Sequence, residues 1–252
     1  MEDKKMEARR AQFAGEAGRL LATDPEWVQI AADFSGAEVP AESRLTERER
    51  LLCVLSTLLG CQGPGEYRRM LGEALRGGLD PAAVKETVYQ ATAYLGIGRV
   101  RDFLEATNEV LEQHGVPLPL PPQGTTDAAT RFSAGLEKQV QLFGPGMAAR
   151  QTDCPPLRRN VNRWLAANCF GDYYTRGGLS DAEREMITFC FLLAQGGCEN
   201  QLRGHTAGNF GVGNGPEKLY SVVEQCLPYI GYPRSLNAMQ IIDETARKFA
   251  AK

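Results

Sequence analysis

Apolar residues along this chain recur at helical spacing, and no stretch alternates in the manner of a strand. Residues 4–22 (KKMEARRAQFAGEAGRLLA) read as an amphipathic helix, and Asp24-Pro25 starts another that carries Trp27, Val28 and Ile30. Thr46-Glu47-Arg48-Glu49 has the Ser/Thr-x-x-Glu form of a capping box and stands directly before Leu51-Leu52-Cys53-Val54-Leu55. Cys61 to Gly65 (CQGPG) breaks that helix, a further one runs from about Glu66 to Arg76, and Gly77-Gly78 stops it. Asp80-Pro81 opens the next, with Val84, Thr87, Val88 and Ala91 along one stripe, and another spans roughly Val100 to Glu112. His114-Gly115 then reads as a C-cap, the imidazole facing the negative end of the helix dipole. The pattern predicts an all-α protein.

Val116 to Asp127 (VPLPLPPQGTTD) holds four prolines in twelve residues, which predicts an extended, semi-rigid connection. It divides the chain into an N-terminal repeat (1–115), a linker (116–127) and a C-terminal repeat (128–252). Ser180-Asp181-Ala182-Glu183 is again a capping box before an apolar run, as Thr46 to Glu49 is in the first half. From Met70 onward the halves match without gaps at one offset: Gly78 falls on Gly213, Val88 on Val223, Gln90 on Gln225, Tyr94 on Tyr229, Gly96 on Gly231 and Arg99 on Arg234. Such a register implies an internal duplication.

Composition removes several function classes. Hydrophobic residues make up 43% and charged residues 23%, as in an ordinary globular protein. The net charge of −3 comes with no Lys/Arg block, so the electrostatic footprint of a nucleic-acid binder is missing. Met1 to Lys5 lacks the apolar core of a signal peptide and no apolar run approaches the ~20 residues of a membrane span, so a cytoplasmic protein without a membrane partner is expected. Seven cysteines without a C-x-x-C pair read as free thiols. Two histidines do not supply a dedicated metal site, and no metal is expected.

The candidate chemistry sits between Arg184 and Gly213. Cys198, Gln201 and His205 are spaced to share one face of a helix, and Glu185 stands at the entrance of the preceding apolar helix. An antiparallel hairpin of the two would bring carboxylate, thiol, amide and imidazole to one pocket. In the first half Met70 stands opposite His205, Glu66 opposite Gln201, Gly63 opposite Cys198 and Leu51 opposite Glu185, so one site is kept and its twin lost. Imidazole moves protons in either direction near neutrality; a neighbouring Glu185 favours its charged form and fixes its tautomer. Cys198, after a Gly-Gly break at a helix start, is expected to have a lowered thiol pKa. Gly204 and Gly208 form a flat stripe read as close packing. Gly211 to Pro216 follows no strand, so it is not a phosphate loop. Tyr173, Tyr174, Tyr229 and Trp164 are aromatics of the kind that mostly fill cores.

The segments NRWLAANCFGDYYTRGGLS, REMITF, GGCENQLRGH and QCLPYIGYPRSLNAM resemble the carboxymuconolactone decarboxylase family, which shares its fold with the alkyl hydroperoxidase D proteins. The resemblance covers nearly the whole chain as tandem copies. It implies a helical-hairpin core that oligomerises as six copies, hence a trimer of tandem chains. It also implies one of two chemistries, cofactor-free decarboxylation of a carboxylated lactone or peroxidation through a C-x-x-C-x-x-x-H motif with an upstream Glu. Cys198 matches the first cysteine, His205 the histidine and Glu185 the glutamate, while Gln201 replaces the second cysteine. The expected enzyme is a decarboxylase-type lyase acting on a small molecule. His205, Glu185 and Cys198 would be catalytic, with Gln201, Arg203 and Tyr229 as substrate contacts and Arg184 as a lesser candidate for a substrate carboxylate. A peroxidase using Cys198 alone, and a non-catalytic assembly protein, are the alternatives.

Overall fold

A computed structural model describes residues 2–250; Met1 and the last two residues lie outside it, as do the side chains of residues 2–6 and 9. The main helices are α1 (Glu2–Glu16), α2 (Pro25–Ala31), α3 (Glu47–Gly60), α4 (Pro64–Arg76), α5 (Pro81–Leu95), α6 (Ile97–Gln113), α7 (Arg131–Phe143), α8 (Arg159–Trp164), α9 (Asp181–Gln195), α10 (Glu199–Gly211), α11 (Pro216–Ile230) and α12 (Tyr232–Ala250). π-helical stretches follow α2 (Ala32–Glu38) and α8 (Leu165–Tyr174). Among the described residues there is no strand. The fold is all-α.

Local chemistry accounts for several helix starts. Thr46 accepts from the Glu49 N–H while the Glu49 carboxylate accepts from the Thr46 N–H, and Ser180 and Glu183 repeat this reciprocal cap. The side chain of Asp80 accepts from the Ala82 N–H ahead of Pro81, and His114 Nδ1 lies 2.9 Å from the Val110 carbonyl at the end of α6. Two helices begin earlier than the periodicity predicts. α4 starts at Pro64, since proline at the first helical position gives up an N–H that has no intrahelical partner anyway. α6 starts at Ile97, directly after Gly96 at φ +82°. The long first helix is interrupted: α1 ends at Glu16 and a separate turn covers Leu20–Thr23.

The duplication is visible in the element order. α9, α10, α11 and α12 begin 134, 135, 135 and 135 residues after α3, α4, α5 and α6, the change of one arising because α9 is 15 residues long and α3 is 14. α3 and α9 are apolar nearly all round and are buried nearly all round, as such helices must be. Side chains from both halves merge into one continuous core. A smaller cluster of Leu142, Cys169, Phe170 and Tyr174 lies where α7 meets the second π stretch. There Gly135 and Gly171 let the two backbones touch; a Cβ on either would overlap backbone atoms of the other segment. The proline-rich connection is tied to the second half: Gly177 N–H donates to Gln123 O (2.9 Å), Thr125 Oγ1 to Thr175 O (2.9 Å) and Thr126 Oγ1 to Gly171 O (2.8 Å).

Candidate active site

α9 and α10 form the expected hairpin, and it brings Glu185 and His205 together. His205 Nδ1 lies 2.9 Å from Glu185 Oε2; the Glu185 side chain is 0% exposed and that of His205 12%. Gly208 makes this possible. A Cβ there would collide with the Glu185 carboxylate and stand 2.8 Å from the Phe143 ring, so the predicted role in close packing holds for Gly208. Gly204, by contrast, faces open space.

The other carboxylate oxygen of Glu185 is also engaged. Tyr174 donates to Oε1 at 3.0 Å and in turn accepts from Tyr94 at 2.9 Å. Thr188 Oγ1, 2.7 Å from the Tyr174 hydroxyl, accepts from Gln90 at 2.8 Å, so its own proton is free for Tyr174. This donor order satisfies every hydroxyl once. It leaves the Tyr94 oxygen facing His205 Nε2 at 3.5 Å and the Cys169 thiol at 3.8 Å. Burial, reinforced by the neighbouring acidic groups, pushes the Tyr94 and Tyr174 phenols well above their usual range, and burial raises the Cys169 thiol to about 12. All three therefore stay protonated and neutral at ordinary pH. The rings of Tyr94 and Phe143 each meet the imidazole edge-on with centroids 5.4 Å apart.

Five sequence-based candidates lie elsewhere. Cys198 precedes α10 as its N-cap, at φ −138° and ψ 40°, so helical spacing does not carry its side chain to His205. Its thiol donates to the Leu192 carbonyl at 3.3 Å and lines a groove with Leu202, Arg234 and Ile241. Burial pushes the Cys198 thiol up, against the expected lowering; the hydrogen bond from Gln195 offsets this only in part and Glu199 adds to it. Gln201 is exposed. Arg203 pairs with Glu244 of α12 at 3.4 Å. Tyr229 belongs to the counterpart of the site, where its hydroxyl points to Met70 Sδ at 3.7 Å. Arg184 is not a surface arginine but a fully buried strut: it donates to Gln90 Oε1 (2.7 Å), Arg176 O (2.7 Å) and Gly177 O (2.8 Å), and pairs with Glu86 at 3.3 Å.

Tyr94, Tyr174, Thr188, Cys169 and Phe143 were not among the sequence-based candidates. Tyr94 comes from α5, in the other repeat. Tyr174 and Cys169 come from a π stretch, whose wider turn shifts side chains off the 3.6-residue period. Trp164 is mostly exposed and Tyr173 half-buried, so neither fills the core. Among the described residues no group of His, Cys, Asp and Glu is arranged to hold a metal, and no helix is long and apolar enough to cross a membrane.

Both halves match one family-wide sequence profile, that of the carboxymuconolactone decarboxylase family, over residues 25–109 and 159–244. The chain belongs to the carboxymuconolactone decarboxylase family. It is 27% identical over 115 residues, 45% of its length, to a 4-carboxymuconolactone decarboxylase of Acinetobacter baylyi, 85% of which is covered. Its fold is similar to a crystal structure from Burkholderia xenovorans provisionally described as a gamma-carboxymuconolactone decarboxylase subunit. That match has a TM-score of 0.55 and 19% identity, and covers 96% of this chain and 98% of the other. Tandem carboxymuconolactone decarboxylase repeats thus account for the doubled helix order, and α9 and α10 with their carboxylate–imidazole pair fall inside the second match.

Proposed function

We propose that the chain is a decarboxylase-type lyase acting on a small carboxylated lactone, with His205 as the group that handles the proton. The observation that carries this reading is the fully buried Glu185 carboxylate on Nδ1 of His205. It accepts from Nδ1 in either protonation state, so Nε2 is the nitrogen left to exchange a proton with a substrate. In decarboxylation the C–C bond to the carboxylate breaks, CO2 departs, and the electron pair stays on the ring carbon, delocalised into the conjugated lactone carbonyl. The Nε2–H of a protonated His205 then delivers its proton to that carbon and is replenished from solvent. The neutral Tyr94 hydroxyl beside Nε2 orients the imidazole. The raised thiol of Cys198, bonded to a main-chain carbonyl, speaks against a thiolate peroxidase.

The test is incubation with 4-carboxymuconolactone while CO2 release is measured. Turnover that drops about 10²–10⁴-fold in His205→Ala is expected; no turnover would reject this substrate, and turnover indifferent to the substitution would reject the role of His205. We also propose a trimer of tandem chains, using exposed apolar side chains such as Trp27, Ile30, Val161 and Trp164. Light scattering that shows a monomer at micromolar concentration would reject it.

A further inference from the structure

A cavity of about 400 Å³ lies away from His205, between α5, α6 and the proline-rich connection, within the size range of small-molecule sites. One wall is apolar: Leu118, Leu120 and the prolines between them and Gln123. The opposite wall carries Lys85 and Arg176 around the ring of Tyr89, the Lys85 Nζ 5.7 Å and the Arg176 Cζ 5.1 Å from its centroid. Lys85 is half-buried and donates to the Asn108 Oδ1. An ammonium has three N–H groups, so that bond leaves others to serve a ligand. Burial also lowers the Lys85 pKa, the response of an ammonium short of an opposite charge.

The sign of the cavity follows from its partners. Glu86 is almost fully buried and shared by two guanidinium groups, Arg176 in the wall at 2.9 Å and Arg184 behind it at 3.3 Å. One carboxylate between two arginines leaves a positive charge over. Lys85 adds another, and only the exposed Glu112 opposes them among the lining residues. A cationic wall facing an apolar one suits a molecule with a carboxylate at one end and a flat or aliphatic body at the other.

We propose that this cavity is a binding site for a small organic carboxylate, its charged end on Lys85 and Arg176 and its apolar body against the proline-rich connection, separate from the His205 centre. The site does not depend on which reaction His205 performs. Titration calorimetry of the full chain with benzoate, benzamide and inorganic sulfate tests it. Saturable binding of one benzoate per chain is expected, with benzamide and sulfate each at least tenfold weaker. Lys85→Met, which keeps the aliphatic stem, should weaken benzoate at least tenfold, whereas His205→Ala should not change it. Leu120→Trp, which fills the cavity from the connection, should block benzoate equally and stands in if Lys85→Met fails to fold. Absence of benzoate binding overturns the proposal. So does benzamide or sulfate binding as tightly as benzoate, or loss of binding in His205→Ala with retention in Leu120→Trp.

Discussion

In the second repeat a buried carboxylate faces an imidazole; at the corresponding positions of the first, Leu51 and Met70 are buried apolar side chains. Tyr94 and Tyr229, equivalent in the repeat register, each cross to the opposite half. Tyr94 reaches His205 Nε2 at 3.5 Å, and Tyr229 reaches Met70 Sδ at 3.7 Å. Around Met70 the space is closed. Arg69 pairs with Glu66 at 2.5 Å and Glu16 at 3.0 Å and covers the Phe13 ring at 4.7 Å, while the buried Arg50 pairs with Glu47 at 2.7 Å and Glu73 at 3.2 Å. What remains there is about 10 Å³, at the lower limit for one water. A buried carboxylate needs donors on both oxygens. The second repeat provides His205 and Tyr174; the first has Leu51 in place of the carboxylate, and its charges, the buried Arg50 among them, close into ion pairs.

The comparison can be broken most forcefully at Glu185. Glu185→Gln puts an amide where two donors converge, and only its single oxygen can accept from them. A fall in kcat of about 10²-fold or more is expected, within the range of an acid–base group; steady-state kinetics showing a change below threefold would mean that the carboxylate does not hold His205. Next is Gly208→Ala, whose new Cβ meets Glu185 and Phe143. Overpacking of this kind costs about 1–3 kcal/mol, read as a lower urea midpoint, and the equivalent Glu73→Ala in the first repeat should leave kcat unchanged. Tyr94→Phe removes one hydrogen bond from the network and should slow turnover by roughly fivefold, about 1 kcal/mol. Tyr229→Phe is its control and should leave turnover as it is; equal effects from the two would show that both halves work. The smallest effect belongs to Cys198→Ser, for which a hydroxyl can take over the bond to Leu192 O. Activity within about twofold of the parent is expected, in line with a role outside acid–base catalysis.

Alkaline pH probes the Tyr94–Tyr174 pair from the side of stability. Tyr94 and Tyr174 hold their protons in the folded state above the value of about 10 at which an unfolded chain releases them. Their contribution is therefore complete below about pH 10 and declines as pH rises toward the folded values. Urea midpoints that stay level across pH 10–11, with the other tyrosines replaced by Phe, would contradict this.

Helix order, caps and the repeat register were legible because each rests on local chemistry: a Thr or Ser oxygen at an N-cap, a proline at a first turn, an apolar stripe. Glu185 and His205 were legible because their helices are consecutive and form a hairpin. Cys198 was misplaced by extending helical spacing one residue too far, onto a cap whose backbone is not helical. The register also paired Tyr94 with Tyr229, yet nothing local says that each serves the other half. That crossing depends on how α5 packs on α9 and α11 on α3 of the opposite half, a contact of sequence separation 111 in the case of Tyr94 and His205. Arg184 was free to be read as a partner for a substrate carboxylate because its own partners Glu86 and Gln90 also lie in the other repeat.

Recombination would meet Tyr94 as part of the first repeat. Exchanging that repeat for the corresponding one of a relative would carry Tyr94 away with it, along with Gln90 and Glu86, and would alter the surroundings of His205 without touching any residue of its own half. A repeat that lacks the carboxylate–imidazole pair is thus still tied to it by the side chains it places inside its neighbour.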